Sequence, residues 1–243
     1  MPEQKREKLM PEWTLSFVIA HRGAPQLAPE NTIAALKAAA VAGAASVECD
    51  VQLTRDHALV ILHDETLDRT TKLKGLLSQT TLQEIKEKDA SVPTLDEWLR
   101  VAALLSLSLN LELKTQSNKQ AVILANGLIA ALALHWPTDF PNPVISSTSL
   151  YVLTEVKKCN AALPIAWIVE KKLSERKLHE LKKLGVISVH QPYQLMNDAY
   201  IQQCHAAGLR VLTYTVNQKE EAEKLQKMGI DGIFTDNMQL CGN

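Results

Sequence analysis

The chain has 243 residues, with 26 Lys+Arg against 27 Asp+Glu and a formal net charge of −1. That length suits one large α/β domain as well as two small ones, and the near-neutral balance offers no electrostatic footprint for nucleic acid. No run approaches the roughly 18 apolar residues of a membrane span, which argues against stable membrane insertion.

Hydrophobic residues make up 46% of the chain and aromatics only 5%. The core must therefore be aliphatic, which favours helices and buried parallel strands. Cys49, Cys159, Cys204 and Cys241 are scattered, with no CxxC pair. In a chain this long they read as reduced thiols and point to the cytoplasm.

Residues 1–8 are charged and residues 13–20 apolar. The apolar run leads straight into His21-Arg22-Gly23 with no small-residue cleavage site, so it reads as a first strand, 15–20, behind a disordered tail. An alanine-rich helix follows at 31–42, stopped by Gly43. The next strand is 46–53. The apolar run 59–62 follows too closely to be a parallel strand, because a parallel crossover needs a dozen residues or more. It must fold back as a hairpin.

A four-residue loop, 55–58, would pair Thr54 with Leu59 and Asp50 with His63. Residues 64–93 are polar and carry one short helix, opened by the capping box Thr81-x-x-Glu84. A second capping box, Thr94-x-x-Glu97, opens a helix to about 104.

From there the cadence is regular. Strands are predicted at 107–113, 144–147, 165–169, 186–190, 211–215 and 232–235. Helices are predicted at 118–134, 150–157, 174–184, 197–206 and 218–228. Gly185, Gly208 and Gly229 each end a helix before a strand, as glycine does in the left-handed conformation. Eight βα units in this length predict a (β/α)₈ TIM barrel with a small insertion, 64–93, after its second strand. An open doubly wound sheet is the alternative, but its glycine-rich dinucleotide fingerprint is absent.

In such barrels the active site lies at the C-terminal strand ends. His21 and Arg22 fall at the end of the first strand. Glu48 and Asp50 are two apart on the second, so they share a face, as do Glu112 and Lys114. Side-by-side carboxylates in a barrel interior repel each other and leave buried charge. A divalent cation removes that problem. All-oxygen ligation favours Mg²⁺ or Ca²⁺, with Mn²⁺ or Zn²⁺ possible where histidine is near. A structural salt-bridge cluster of the same carboxylates with Arg22 and Lys114 is the other reading. His21 and His63 converge on these carboxylates, whereas His57, His135, His179 and His205 read as turn or helix-surface residues. His190 ends a strand without an acidic neighbour and is given no role.

These pieces occur as an ordered set: His21-Arg22-Gly23, Pro29-Glu30-Asn31-Thr32, Glu48-Cys49-Asp50, His63-Asp64, Leu67-Asp68-Arg69-Thr70-Thr71, Pro93-Thr94-Leu95, Leu111-Glu112-Leu113-Lys114, Thr213-Tyr214-Thr215-Val216-Asn217 and Gly229-Ile230-Asp231-Gly232 through Asp236. In that order they resemble the glycerophosphodiester phosphodiesterase family, of the bacterial cytoplasmic type, over nearly the whole chain. The resemblance implies metal-dependent hydrolysis of glycerophosphodiesters to sn-glycerol 3-phosphate and an alcohol. It implies Glu48, Asp50 and Glu112 as metal ligands and His21 and His63 as the acid–base pair. Arg22, Glu30, Lys114 and Tyr214 would lie against a small-molecule substrate.

The family commonly has tryptophan where Tyr214 stands, and Asp56-His57 replaces a usual Asp-Gly turn. A lysophospholipase D-like enzyme and a non-catalytic barrel are the competing readings. The first would need an exposed apolar loop, which residues 64–93 do not clearly supply. Headgroup preference and oligomeric state are not legible in the sequence.

Overall fold

Residues 13–241 are described by the computed structural model; the N-terminal tail expected to be disordered lies almost wholly outside them. The strands are β1 (Val18–Ala20), β2 (Ser46–Leu53), β3 (Leu59–Ile61), β4 (Ser108–Leu113), β5 (Val144–Ser147), β6 (Ile165–Ile168), β7 (Val186–Pro192), β8 (Arg210–Tyr214) and β9 (Gly232–Thr235). The helices are α1 (Ile33–Val41), α2 (Leu82–Lys88), α3 (Leu95–Leu104), α4 (Asn118–His135), α5 (Leu150–Cys159), α6 (Glu175–Lys183), α7 (Asp198–Ala206) and α8 (Lys219–Lys227). The strands run in the order β1-β9-β8-β7-β6-β5-β4-β2, and β1 pairs with β2 to close the ring. Every pairing around the ring is parallel. This is the (β/α)₈ barrel expected from the sequence.

Alternation along each strand divides the side chains between two layers. Val47, Cys49 and Val51 of β2 and Leu109, Leu111 and Leu113 of β4 point outward into the main aliphatic core beneath the helices. Inside the ring, Leu15, Ile19, Val144, Ala166, Leu212 and Phe234 form a small apolar plug. All eight residues of β2 are buried, because both of its faces are covered. The polar residues interleaved on β2 and β4, namely Glu48, Asp50, Gln52, Asn110 and Glu112, therefore face the barrel interior. The fold concentrates them there by strand periodicity alone.

β3 returns antiparallel on the upper half of β2, beside the edge that β1 occupies lower down. The predicted register is off by one. Val51 pairs with Ile61 and Leu53 with Leu59, and Asp50 bonds to Leu62, not to His63. The cause is the turn. Thr54 N donates to Ala58 O and His57 N to Thr54 O, with His57 at φ 65°. Three residues, not four, span the hairpin, in the common arrangement of a turn followed by one left-handed residue. His63 escapes the consequence because the strand ends at Ile61 and the chain turns over. The Gln52 amide anchors that turn, lying 2.7 Å from Leu62 O, 3.0 Å from His63 O and 2.9 Å from Asp64 O.

The apolar residues of the insertion, Leu67, Leu73, Leu77, Ile85 and Val92, cluster with Val60 and Leu62 of the hairpin. Helix α2 of the insertion and the following α3 both start with complete capping boxes, at Thr81/Glu84 and Thr94/Glu97. α1 starts later than expected. Thr32 caps it by accepting from Ala35 N, while Asn31 sits outside at φ 57°.

No helix among the described residues is long and apolar enough to cross a membrane. Gly23 sets how closely the loop after β1 approaches α1. It lies at φ 84°, and a Cβ there would fall 2.8 Å from the backbone carbon of Ala35. Gly23→Ala should therefore combine left-handed strain with a backbone clash and cost about 2–4 kcal/mol. Urea unfolding measures this; an unchanged midpoint would show that α1 yields freely.

Candidate active site

The mouth of the barrel holds a cavity of about 270 Å³, lined among others by His21, Arg22, Glu48, His63, Glu112, Lys114 and Tyr214. Strand ends and the first turn after each strand supply these residues. Arg22 and Gly23 both take positive φ directly after β1. That turn aims Arg22 N at Glu48 Oε2, 2.9 Å away.

Glu48, Asp50 and Glu112 converge, each offering an oxygen within 4.8 Å of the others. The register of β2 on β4, which sets Asp50 beside Glu112, produces this closeness. Asp50 is balanced by cations. Lys114 Nζ stands 3.0 Å from Oδ1 and Arg22 Nε 3.5 Å from Oδ2, and Asn31 Nδ2 donates to Oδ2 at 2.8 Å. Burial alone would raise the Asp50 pKa, but Lys114 and Arg22 outweigh it and hold the group below the usual carboxylate range.

Glu48 is the opposite case. Burial, then Asp50 and Glu112, push it well above its ordinary value, and its Oε1 is buried with no hydrogen-bond partner. Burial and Asp50 push Glu112 up to about 7. A close set of carboxylate oxygens, with one oxygen orphaned and two of the carboxyls straining to take up protons, fits a hard divalent cation by its donor chemistry.

The two histidines are wired alike. His21 Nδ1 lies 2.8 Å from Asp236 Oδ1, and His63 Nδ1 lies 2.7 Å from Asp64 Oδ1. A carboxylate only accepts, so each Nδ1 carries the proton and Nε2 is the second position of each ring. At His21 this nitrogen is engaged, accepting from Arg22 Nε at 3.2 Å. Burial holds His63 below the ordinary histidine value, against the pull of Asp50. Asp236 is itself gripped by Asn217, whose Nδ2 donates to Oδ2 at 3.0 Å.

Glu30, expected beside the substrate, does not line the cavity. Arg22 Nη1 donates to its Oε1 at 2.9 Å, and Arg69 donates to both of its oxygens. Tyr214 does line the cavity, with its hydroxyl pushed up to about 12 by burial and then by Glu170 and Glu112.

Several residues that sequence reasoning left without a role belong to the site. Asp64 is adjacent to His63, and its partner Arg69 lies in a motif already recognised by sequence. Asp236 and Asn217 fall at strand ends, which is the signal that marks them. Asn110, Glu170 and His190 also line the cavity. His190 is buried and held neutral, its pKa pushed down to about 3, and its Nδ1 has no partner.

The chain as a whole is similar to known proteins. Residues 21–240 match the model of the glycerophosphoryl diester phosphodiesterase family. A glycerophosphodiester phosphodiesterase of Caldanaerobacter subterraneus is 35% identical over 241 residues, covering 94% of this chain and 97% of that protein. The structure of an Oleispira antarctica phosphodiesterase in complex with the product sn-glycerol-3-phosphate superposes with a TM-score of 0.88 at 33% identity, covering 93% of this chain and 95% of that one. A Thermotoga maritima glycerophosphodiester phosphodiesterase gives a TM-score of 0.77 at 27% identity, covering 92% and 96%. The chain belongs to the glycerophosphoryl diester phosphodiesterase family and is a phosphoric diester hydrolase.

Proposed function

We propose that the protein hydrolyses small glycerophosphodiesters to sn-glycerol 3-phosphate and an alcohol, using a divalent cation and the pair His21 and His63. The observation that carries this reading is the convergence of Glu48, Asp50 and Glu112 beside two histidines that each have a carboxylate on Nδ1. The product complex of the Oleispira antarctica relative supports the choice of substrate.

Glu48, Asp50 and Glu112 would hold the cation, with Mg²⁺ or Ca²⁺ favoured by their all-oxygen donor set. When bound, it would supply Lewis-acid stabilisation of phosphoryl oxygen charge. Arg22 and Lys114, at the cavity wall, neutralise further phosphate oxygens. One histidine removes a proton through Nε2 from the attacking hydroxyl, either that of water or that of the glycerol, in which case water then opens the cyclic phosphate to sn-glycerol 3-phosphate. The other enters as the imidazolium, protonated on both nitrogens, and donates its Nε2 proton to the departing alcohol oxygen. The carboxylate behind each ring fixes its orientation and stabilises it when charged. Tyr214 contacts the glycerol or the leaving group, and Glu30 sits at one remove, holding Arg22.

The reading extends to the whole chain as one barrel domain, with residues 64–93 as its insertion, working in the cytoplasm. Its four free thiols suit a reducing compartment. The insertion buries most of its apolar residues, with Leu76 its one exposed large hydrophobic, which favours headgroup diesters over lysolipids.

Assays of glycerol 3-phosphate release from glycerophosphocholine and glycerophosphoethanolamine, with Mg²⁺, Ca²⁺ or EDTA, test this. Release should depend on metal, and His21→Ala and His63→Ala should each lose about 10²–10⁴-fold in kcat. Failure of the folded wild type on both diesters with either metal would sink the proposal.

Stability supplies a second, activity-free test. Glu48 and Glu112 have raised folded-state pKa values, Glu112 rising from 4.5 to about 7. Between those values the folded state binds more protons than the unfolded one, so this contribution is present at low pH and is lost as pH rises toward 7. A metal held by these carboxylates must displace their protons, so added Mg²⁺ or Ca²⁺ should raise the melting temperature of the metal-free protein more at pH 8 than at pH 5. Glu48→Gln should abolish the metal-induced rise, and an equal rise in that variant would count against Glu48 as a ligand.

A further inference from the structure

The Leu67-Asp68-Arg69-Thr70-Thr71 motif has no role in the chemistry described so far, yet it places one guanidinium at the centre of the charged network. Arg69 Nε donates to Asp64 Oδ2 at 2.6 Å and Nη2 to Asp64 Oδ1 at 2.9 Å. Its other edge donates to Glu30, Nη1 to Oε2 at 2.9 Å and Nη2 to Oε1 at 2.8 Å. The guanidinium is thus a planar double fork between two carboxylates. Each carboxylate in turn holds a residue of the cavity wall. Asp64 Oδ1 accepts from His63 Nδ1 at 2.7 Å, and Glu30 Oε1 accepts from Arg22 Nη1 at 2.9 Å. An unbroken chain of charged hydrogen bonds therefore runs His63–Asp64–Arg69–Glu30–Arg22. Arg69 does not line the cavity, and about half of its side chain is exposed to solvent.

An exposed ion pair contributes little to stability. A bidentate contact on both sides instead restricts where the two carboxylates can sit, and through them the His63 ring and the Arg22 fork. Without Arg69, Asp64 and Glu30 would face each other's charge across the gap and turn toward solvent. His63 would keep a neighbour at Nδ1 but lose its fixed orientation.

We propose that Arg69 is a positioning residue, through which the insertion holds His63 and Arg22 at the spacing that catalysis needs. This rests on the diesterase reading of the site. It also connects the insertion to the chemistry, because the apolar cluster that residues 64–93 share with the hairpin then serves to aim one arginine back at the barrel mouth.

Lysine cannot span both carboxylates with paired donors, so Arg69→Lys should resemble Arg69→Ala more than the wild type. The test compares the full chain with Arg69→Ala and Arg69→Lys in the glycerol 3-phosphate assay with metal. Arg69→Ala should lose roughly 10- to 100-fold in kcat, with KM changing far less and the melting temperature nearly unchanged. Methylguanidinium should restore part of the lost kcat. An unchanged kcat, or a loss that tracks unfolding and resists methylguanidinium, overturns the proposal.

A readout without turnover separates this from the diesterase reading. The downfield Nδ1–H proton resonance of His63, identified by its absence in His63→Gln, should shift or broaden in Arg69→Ala. If it stays in place, Asp64 holds His63 without help and Arg69 positions nothing. An inactive wild type would instead refute the diesterase reading while this resonance still decides the role of Arg69.

Discussion

Everything in the barrel mouth answers to one electrostatic constraint: three carboxylates within 4.8 Å of one another, with Glu48 and Asp50 almost closed to water. Charge of one sign so concentrated in a low-dielectric interior is costly unless it is paired or protonated. Arg22 and Lys114 meet the requirement for Asp50 and leave Glu48 and Glu112 with raised pKa values. The protein thus keeps a deficit of positive charge at one point, and a divalent cation is the group that fills such a deficit. The fold tolerates the cost because the surrounding aliphatic layers, one inside the ring and one beneath the helices, carry its stability.

Around that centre the side chains are arranged in relays, not pairs. Each histidine has a carboxylate behind it, and each of those carboxylates is held by a further residue, Asn217 for Asp236 and Arg69 for Asp64. Arg22 is held by Glu30 while its backbone N–H caps Glu48. The result is a set of rotamers restrained before any substrate arrives, which is the condition under which charged groups stabilise a developing phosphoryl charge best. The insertion takes part in this. Its apolar cluster packs beneath the segment that carries Asp64 and Arg69, and Arg69 reaches Glu30 of the first loop.

Much of the site was legible in the sequence because its residues recur at strand ends. Glu48/Asp50 and Glu112/Lys114 share faces through period-two alternation, and His21-Arg22 follows directly on the first strand. The hairpin shows where such reasoning stops. It was inferred correctly from the impossibility of a short parallel crossover, yet its register was wrong by one residue. His57 adopts the left-handed conformation that a non-glycine residue seldom takes, and one residue of loop shifts every pair. Glu30 lies against the substrate only as the family resemblance implies; in the structure its oxygens accept from Arg22 and Arg69.

The class of fold, and which polar residues fall at its strand ends, can be read from the chain alone. Aliphatic runs of strand length, helices stopped by glycine, and an ordered set of short motifs are local properties, and local periodicity encodes them. Which group touches which depends on how the distant segments pack. His21 meets Asp236 from 215 positions away, because ring closure sets β1 beside β9. Arg69 reaches Glu30 across 39 positions, because the insertion folds back over the first loop. Hydrogen bonds and charge pairs of that kind depend on angstrom-scale register between distant segments, and no repeat or spacing within a segment carries that information.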